Sequence, residues 1–407
     1  MMEFQSFFMG GFESSTHVRR DGRRLDLIQS TRHDRFALED YRLLRSAGID
    51  VARDGVRWHL IETSPGRYQF DTAKAQIAAM QESGIQVIWD LLHFGWPDHV
   101  DPFSADFPKR LGAFAYQFAE CLRDDGVRDV ALCPVNEISF LSFAGGQAGF
   151  FNPFAHDRGD DLKRQLVRGA LSASRAVRAV HPNARLVHTD PIIHVTAHPR
   201  RPEQRDAAEA HRQAQYASWD RIAGRVEPEL GGAPEFLDVL GVNYYVHNQW
   251  VYPGGHGSLI SPSDPRHRPL QHMLLEVWER YRRPLFIAET GIENTERPSW
   301  LAYVGHEARA ALRMGADLQG ICIYPIVNHP GWDDDRHCHN GLWDYADDRG
   351  HREPYVPLLD ELRRQQELFV RMRAEPADAV HDDAPPLEEL DEIARSIAEV
   401  TETSREG

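Results

Sequence analysis

The sequence predicts an α/β protein, a single-domain (β/α)8 TIM barrel with an acidic C-terminal tail. Short apolar, β-rich runs recur at about 4–11, 50–58, 85–92, 129–136, 185–190, 237–245, 284–289 and 319–326, which makes eight. Longer segments with helical spacing separate them, so a helix is expected after each strand. Several of these segments stop on glycine, as at 46–48, 82–84 and 313–315, where glycine can take the left-handed turn that ends a helix before the next strand. Eight such units imply a closed barrel. An open doubly wound sheet would announce a glycine-rich phosphate turn after its first strand, and MGGFESS at 9–15 is a poor match.

Taken in order, the helices are expected in LEDYRLLRSAGI (38–49), FDTAKAQIAAMQESGI (70–85), RLGAFAYQFAECLRDDG (110–126), LKRQLVRGALSASRAVRAV (162–180) and SWLAYVGHEARAALRMGA (299–316). A last helix near 352–372 closes the barrel domain, which spans 1–372. Residues 373–407 are rich in acid, alanine and proline; the first half reads as linker, and PLEELDEIARSIAEV (386–400) has the pattern for one short amphipathic helix, although a solvated tail is the expected state.

At 407 residues the chain falls in the range of one large barrel. Its 42% hydrophobic and 27% charged residues are ordinary for a globular protein with a large core. A formal charge of −16 argues against a general affinity for nucleic acid or anionic membrane. Cys121, Cys133, Cys322 and Cys338 show neither a metal spacing nor a disulfide framework. The start of the chain lacks the basic and apolar regions of a signal peptide, and no run is long enough for a membrane helix, so a cytoplasmic protein is expected. Oligomeric state is not legible.

In a parallel barrel the active site lies where strands end and βα loops begin. The fourth run ends on Asn136 and Glu137 within CPVNEISF (133–140), and the seventh ends on Glu289 within PLFIAETG (284–291). Two carboxyls facing each other across a barrel mouth suit glycosidic bond cleavage, with one protonating the leaving oxygen and the other attacking the anomeric carbon. A lone glutamate at a strand end is more simply a salt-bridge partner. Two of them, one preceded by asparagine, favour the catalytic pair. Arg53, on the second strand, would be costly if unpaired in the core, and Glu289 is its natural partner. Arg57 lies on the same face by period two and is the alternative. In GVNYY (241–245), Asn243 and Tyr245 share one face, with core packing as the simpler role for the tyrosine. Twenty-one histidines invite a zinc hydrolase, but His337 and His339 form their HxH in a late loop rather than on the first strand, so no metal is expected.

These strings also carry a family resemblance. VALCPVNEISFLSFAGG (130–146) is similar to the fourth-strand segment of glycoside hydrolase family 1, whose pattern is T-F/L-N-E-P, and PLFIAETGIEN (284–294) resembles its seventh-strand I-T-E-N-G. FFMGGFESSTH, ARDGVRWHLIE, WDLLHFGWPDHV and GVNYYVHNQW resemble its first, second, third and sixth strands. YPIVNHPGW resembles its eighth strand, and NGLWDY the segment after that strand. The resemblance covers about residues 5–365 and is that of a divergent member of this β-glucosidase-like family, within the clan of barrel glycosidases that carry catalytic glutamates on strands four and seven.

The resemblance implies Glu137 as acid/base and Glu289 as nucleophile, with Arg53 holding Glu289 as an anion, Tyr245 positioning it, and Asn136 bonding the sugar 2-hydroxyl. It implies that His93 binds a glycone hydroxyl and adds Asn243 to the substrate-binding set. Trp96, Tyr324 and Trp332 are the aromatic candidates for a sugar-stacking platform. Three positions depart from the pattern, one of them Tyr324 where the family has a tryptophan. His17 stands where the family has a glycone-binding glutamine, and Gly331 where it has a glutamate gripping the outer hydroxyls. Asp333, Asp334, Asp335 and Arg336 are possible substitutes, and the aspartates argue against a phosphorylated glycone. The expected activity is exo-acting retaining hydrolysis of a small glycoside or oligosaccharide, without a cofactor. A transglycosidase using the same pair and a catalytically silent carbohydrate-binding barrel are the alternatives.

Overall fold

The computed structural model describes residues 4–255 and 257–374; the tail segment at 386–400 lies outside them. Eight strands close a barrel: β1 (Phe8–Gly11), β2 (Val51–Gly55), β3 (Gln86–Asp90), β4 (Ala131–Cys133), β5 (Arg185–Pro191), β6 (Val239–Asn243), β7 (Leu285–Thr290) and β8 (Leu318–Ile323). Every neighbouring pair is parallel, and β1 pairs with β8 to complete the ring. All eight coincide with the apolar runs of the sequence, because a parallel strand covered by helices is buried on both faces and needs no polar alternation.

Helices α1 (His33–Ser46), α2 (Asp71–Ser83), α3 (Phe107–Asp124), α4 (Gly159–Val180), α5 (Ala217–Ile222), α6 (Leu270–Tyr281), α7 (Arg297–Arg313) and α8 (Val356–Ala374) surround the barrel. α3 and α4 show the apolar period at work: Leu111, Phe114, Ala115 and Phe118 bury one stripe, Leu162, Leu166, Ala170 and Leu171 another. A buried phenylalanine such as Phe114 contributes roughly 1.5–3 kcal/mol by burial alone. α2 ends where Gly84 takes φ 72° and donates its N–H to Met80 O, the left-handed stop expected from its sequence. The expectation of one helix per strand is least tidy after β5, where the Arg205–Gln213 helix and α5 succeed each other and Gln249–Tyr252 pairs with His194–Ala197 in a small separate sheet.

Alternation along the strands sorts side chains between two cores. Met9, Val51, Ile88, Ala131, Val187, Val239, Phe286 and Cys322 fill the barrel interior, while Ala52, Trp89, Leu240, Ile287 and Ile321 face the helices. All four cysteines are buried and free, and Cys133 and Cys322 are interior residues. Among the described residues no helix is long and apolar enough to cross a membrane.

Candidate active site

Alternation carries Arg53 and Asp90 to the top of the barrel interior, above Val51 and Ile88. Glu289 reaches the same place by a different route. Phe286 and Ala288 already point inward, so strict alternation would send Glu289 toward the helices. The β6–β7 register instead slips between Ile287 and Glu289, placing Glu289 opposite Asn243 and turning its carboxyl into the mouth.

Arg53 is fully buried and organises the floor. Its Nη1 donates to Glu289 Oε1 at 2.6 Å, its Nη2 to Asp90 Oδ2 at 2.7 Å and Asn136 Oδ1 at 2.5 Å, and its Nε to Asp90 Oδ1 at 3.2 Å. Burial works against the guanidinium charge, but Asp90 and Glu289 outweigh it and push the Arg53 pKa well above its ordinary value. Asp90 is likewise held below the usual carboxylate range, since Arg53 and His93 overcome its own burial. The Tyr245 hydroxyl donates to Glu289 Oε2 at 3.0 Å, so each oxygen of Glu289 has one fixed donor and keeps lone-pair capacity for chemistry. Arg57 is elsewhere: the strand ends at Gly55, the alternation ends with it, and Arg57 pairs with Asp26 at 3.1 Å.

Glu137 comes after β4 at φ 47°, a left-handed conformation that costs a non-glycine residue on the order of 1–3 kcal/mol. Its N–H donates to Thr189 O on β5 and its carbonyl accepts from Leu141, which fixes the turn. Asn243 Nδ2 donates to its Oε1 at 2.8 Å, leaving Oε2 to carry a proton. Burial first, then the Glu289 charge, raise the Glu137 pKa well above the ordinary value, with Asp190 adding to them. The two carboxyls are thus held in unlike states: an anion clamped by Arg53 and Tyr245 beside an acid that keeps its proton.

Asn136 accepts from Arg53 and from Thr189 Oγ1 (2.7 Å), while its Nδ2 lies 3.1 Å from His93 Nε2, so one amide hydrogen is left for a ligand. His93 Nδ1 donates to Asp90 Oδ2 at 3.0 Å, which orients the ring with Nε2 toward the Asn136 amide. Tyr324, buried to 1% exposure, lies parallel to His93 and 5.3 Å from the Arg53 guanidinium. That makes it a support for the charge cluster. Trp332 is half-buried in an aromatic wall with Phe94, Phe140 and Phe151. Trp96 is buried outside that wall.

His17 sits against Phe151 and Trp332, with ring centroids 4.5 and 4.7 Å away, and burial pushes its pKa down to about 3. It is a neutral imidazole whose buried Nδ1 has no partner. The Asn243 Oδ1 is also buried and unpartnered. Unpartnered buried polar atoms beside two buried carboxyls suit a polar ligand.

Three acidic residues of the site stand outside the set read from the sequence. Asp90 and Asp190 each end an apolar run, as the glutamates do, so a signal exists for both. Asp190 accepts from Ser139 N and Ser139 Oγ, both at 2.9 Å, and from Ser218 Oγ, and burial raises its pKa to about 6. Glu13 has no strand-end signal. It accepts from Ser15 N at 2.9 Å and lies 3.7 Å from His93 Nε2, and although burial favours its acid form, His93, His329 and the Ser15 bonds together lower its pKa.

The eighth-strand loop differs from what hydroxyl recognition by its charges would need. Asp335 pairs with Arg19 at 2.9 Å and with Arg23, Arg336 pairs with Glu293 through two bonds of 2.6 Å, and Asp334 accepts from Arg336 N. These charges latch the loop to its neighbours. A Cβ at Gly331 would stand 2.1 Å from Asp334 Oδ1, so the Asp334 side chain lies where a side chain at 331 would begin. His337, His339 and Asp344 bring ligand atoms within 4.8 Å of one another at the surface. The two imidazoles are stacked at 14°, however, so their in-plane lone pairs do not converge on one point.

No family model matches the chain. A curated β-galactosidase of Sulfolobus acidocaldarius is 26% identical over 199 residues, which is 41% of this chain and 40% of that protein, so the chain matches about two fifths of that relative's length. Among solved structures, a β-glucosidase from Thermotoga maritima in complex with glucoimidazole superposes with a TM-score of 0.73 at 16% identity, covering 90% of this chain and 98% of that one. A family 1 β-glucosidase from Thermotoga maritima gives 0.71 at 15%, covering 88% and 96%. The AHE enzyme from Alicyclobacillus herbarius gives 0.72 at 18%, covering 90% and 99%. The barrel architecture is shared along nearly the whole length of these neighbours.

Proposed function

We propose that this chain is a retaining, exo-acting β-glycosidase that hydrolyses O-glycosidic bonds by double displacement. The observation that carries the proposal is the pair of carboxyls in opposed states, Glu289 bonded by Arg53 and Tyr245 and Glu137 with its pKa raised by burial and by Glu289 itself. Likeness to the family 1 β-glucosidases and the partial match to a β-galactosidase support it.

In the first step a Glu289 oxygen attacks the anomeric carbon, the glycosidic C–O bond breaks, and the Glu137 proton passes to the leaving oxygen. The product is a glycosyl ester on Glu289. Esterification removes the charge that raised the Glu137 pKa, so Glu137 now serves as base: it takes a proton from water while water attacks the anomeric carbon and frees Glu289. Glu289→Ala lowers kcat/KM by about 10⁴-fold or more, and azide restores turnover to give a glycosyl azide of inverted configuration. Full activity in that variant rules the assignment out.

With Gly331 unable to supply a carboxylate, Glu13 takes over the recognition of glycone hydroxyls together with His93 and the free Nδ1 of His17. Glu13→Gln raises KM for every substrate of the preferred glycone, roughly tenfold for one charge-assisted hydrogen bond lost. An unchanged KM across an aryl glycoside panel would remove Glu13 from the glycone site.

A further inference from the structure

A cleft whose residues take no part in cleavage is lined by arginine. It lies between the loop that leads into α3 and the first turns of α4, has a volume of about 290 Å³, and is walled by Phe103, Arg158, Asp161, Arg164, Gln165 and Arg168. Asp161, Arg164, Gln165 and Arg168 fall at i, i+3, i+4 and i+7 and so share one stripe of α4. A chain with a formal charge of −16 presents here three guanidiniums and one carboxylate.

The walls are held in place. Gln165 Nε2 donates to Ser104 O at 2.5 Å, which ties α4 to the loop, and Gln165 Oε1 accepts from Arg168 Nη1 at 3.1 Å. Asp101 braces the loop, its Oδ1 accepting from Phe103 N at 2.9 Å and its carbonyl from Ser104 Oγ at 2.8 Å. Phe103 in turn carries the Arg158 guanidinium 3.6 Å from its ring centre. A guanidinium resting on a ring keeps its in-plane N–H groups for another partner.

Little of this charge is neutralised from within. Arg168 bonds to Gln165 and meets no carboxylate among the described residues. Arg158 has only a loose contact with Asp161, 3.5 Å through Nε, which leaves its terminal nitrogens open. Arg164 is the fixed member of the three: its Nη1 pairs with Asp160 at 2.8 Å and its Nε with Glu227.

We infer that this cleft binds a small, multiply charged oxyanion, a phosphate ester or a di- or tricarboxylate. The guanidinium fork matches the paired oxygens of either group. Arg164 and Arg168 stand about 6 Å apart along the helix axis, so two anionic groups of one ligand can meet separate arginines. Small-molecule sites begin at roughly 300 Å³, which sets the size of the ligand. A long polyanion such as nucleic acid is excluded by the net negative charge of the chain.

Isothermal titration calorimetry on the full chain, with pyrophosphate and with citrate as probes, tests this. At least one probe binds saturably, with one site per chain and an affinity that falls as salt is added. In Arg158→Gln/Arg168→Gln the affinity drops about tenfold or more, the effect of losing charge-assisted hydrogen bonds. Arg168→Gln alone, at a residue with one bond to lose, gives part of that drop. Both arginines are exposed, so the unliganded variants keep the native thermal midpoint, while the rise in midpoint that the probe gives the native chain disappears. Binding of pyrophosphate alone identifies a phosphate ester, binding of citrate alone a polycarboxylate, and binding of both makes paired anionic groups the determinant. Saturable binding of neither probe, or equal affinity in the native chain and the double variant, would overturn the inference.

Discussion

Arg53 and Asp54 are neighbours on β2, point to opposite faces of the barrel, and each anchors a buried charge network. On the outer face Asp54 accepts from His33 Nε2 (2.9 Å), the Tyr41 hydroxyl (2.5 Å), Gln76 (3.1 Å) and Gly55 N (2.8 Å). His33 continues to Asp40 at 2.7 Å, and Arg352 closes on Asp40 at 2.6 and 2.9 Å and on Thr31 O. With His33 protonated its two cations and two anions cancel. The inner network is open by contrast: one arginine faces Asp90 and Glu289, a third carboxyl keeps its proton, and Asn243 Oδ1 and His17 Nδ1 lack partners. A closed buried network staples β2, α1 and the Arg352 segment together, while an open one holds unsatisfied chemistry that a ligand completes.

The sharpest way to break this comparison is to disturb each face alone. Arg53→Lys keeps the charge but loses the fork that reaches Asp90, Asn136 and Glu289 together, and kcat/KM falls about 10²–10³-fold, the usual effect of removing one preorganised donor. Asp54→Asn leaves His33 and Arg352 with a single anion; breaking a buried pair costs about 3–5 kcal/mol of stability, read as a lower denaturant midpoint, with kcat of the folded enzyme near the native value. If Asp54→Asn removed activity at full stability, the two faces would not be separable.

A smaller, pH-dependent effect sharpens the outer side. Burial opposes the His33 charge, but Asp54 and Asp40 prevail and raise its pKa to about 9, above the ordinary 6.5. A raised histidine stabilises the fold fully below the unfolded value and loses that contribution as pH rises through the folded one. The thermal midpoint should therefore fall between about pH 6.5 and 9, and His33→Gln should flatten that fall. An identical slope in the variant would place the titration elsewhere.

The contrast also explains what is legible in the sequence. The strands can be read because strands buried on both faces are plain apolar runs, and Glu137, Asn136, Glu289 and Arg53 because a polar residue interrupting such a run is rare. Asp90 and Asp190 carry the same signal, at the ends of QVIWD and RLVHTD, but a search for a glutamate pair does not select them. Glu13 and the Asp335–Arg19 latch depend on loops meeting in space, the latter across 316 positions, which no local pattern encodes. A strand-end position is an incomplete reason for the inward turn of Glu289, since alternation alone points it outward and the register slip at Ile287 corrects it.

The smallest expected effect tests whether the inner network is tuned from behind the barrel. Asp190 lies on β5, bonded to Ser139 N two residues beyond Glu137 and to Ser218 on α5, with the Lys163 charge nearby. Burial and the Glu289 charge contribute more to the raised Glu137 pKa than Asp190 does. Asp190→Asn removes a negative charge and leaves Glu289, Arg53 and Asn243 around Glu137 unaltered. Losing an anion makes the acid easier to ionise, so the basic limb of kcat/KM against pH moves to lower pH, by less than about one unit for the smallest of the three effects that raise this pKa. Activity well below that limb stays near native, since Glu137 is then protonated in both forms. A basic limb that does not move, or a uniform loss at every pH, would make Asp190 a purely structural anchor of the turn, and the tuning of Glu137 would then come from inside the barrel alone.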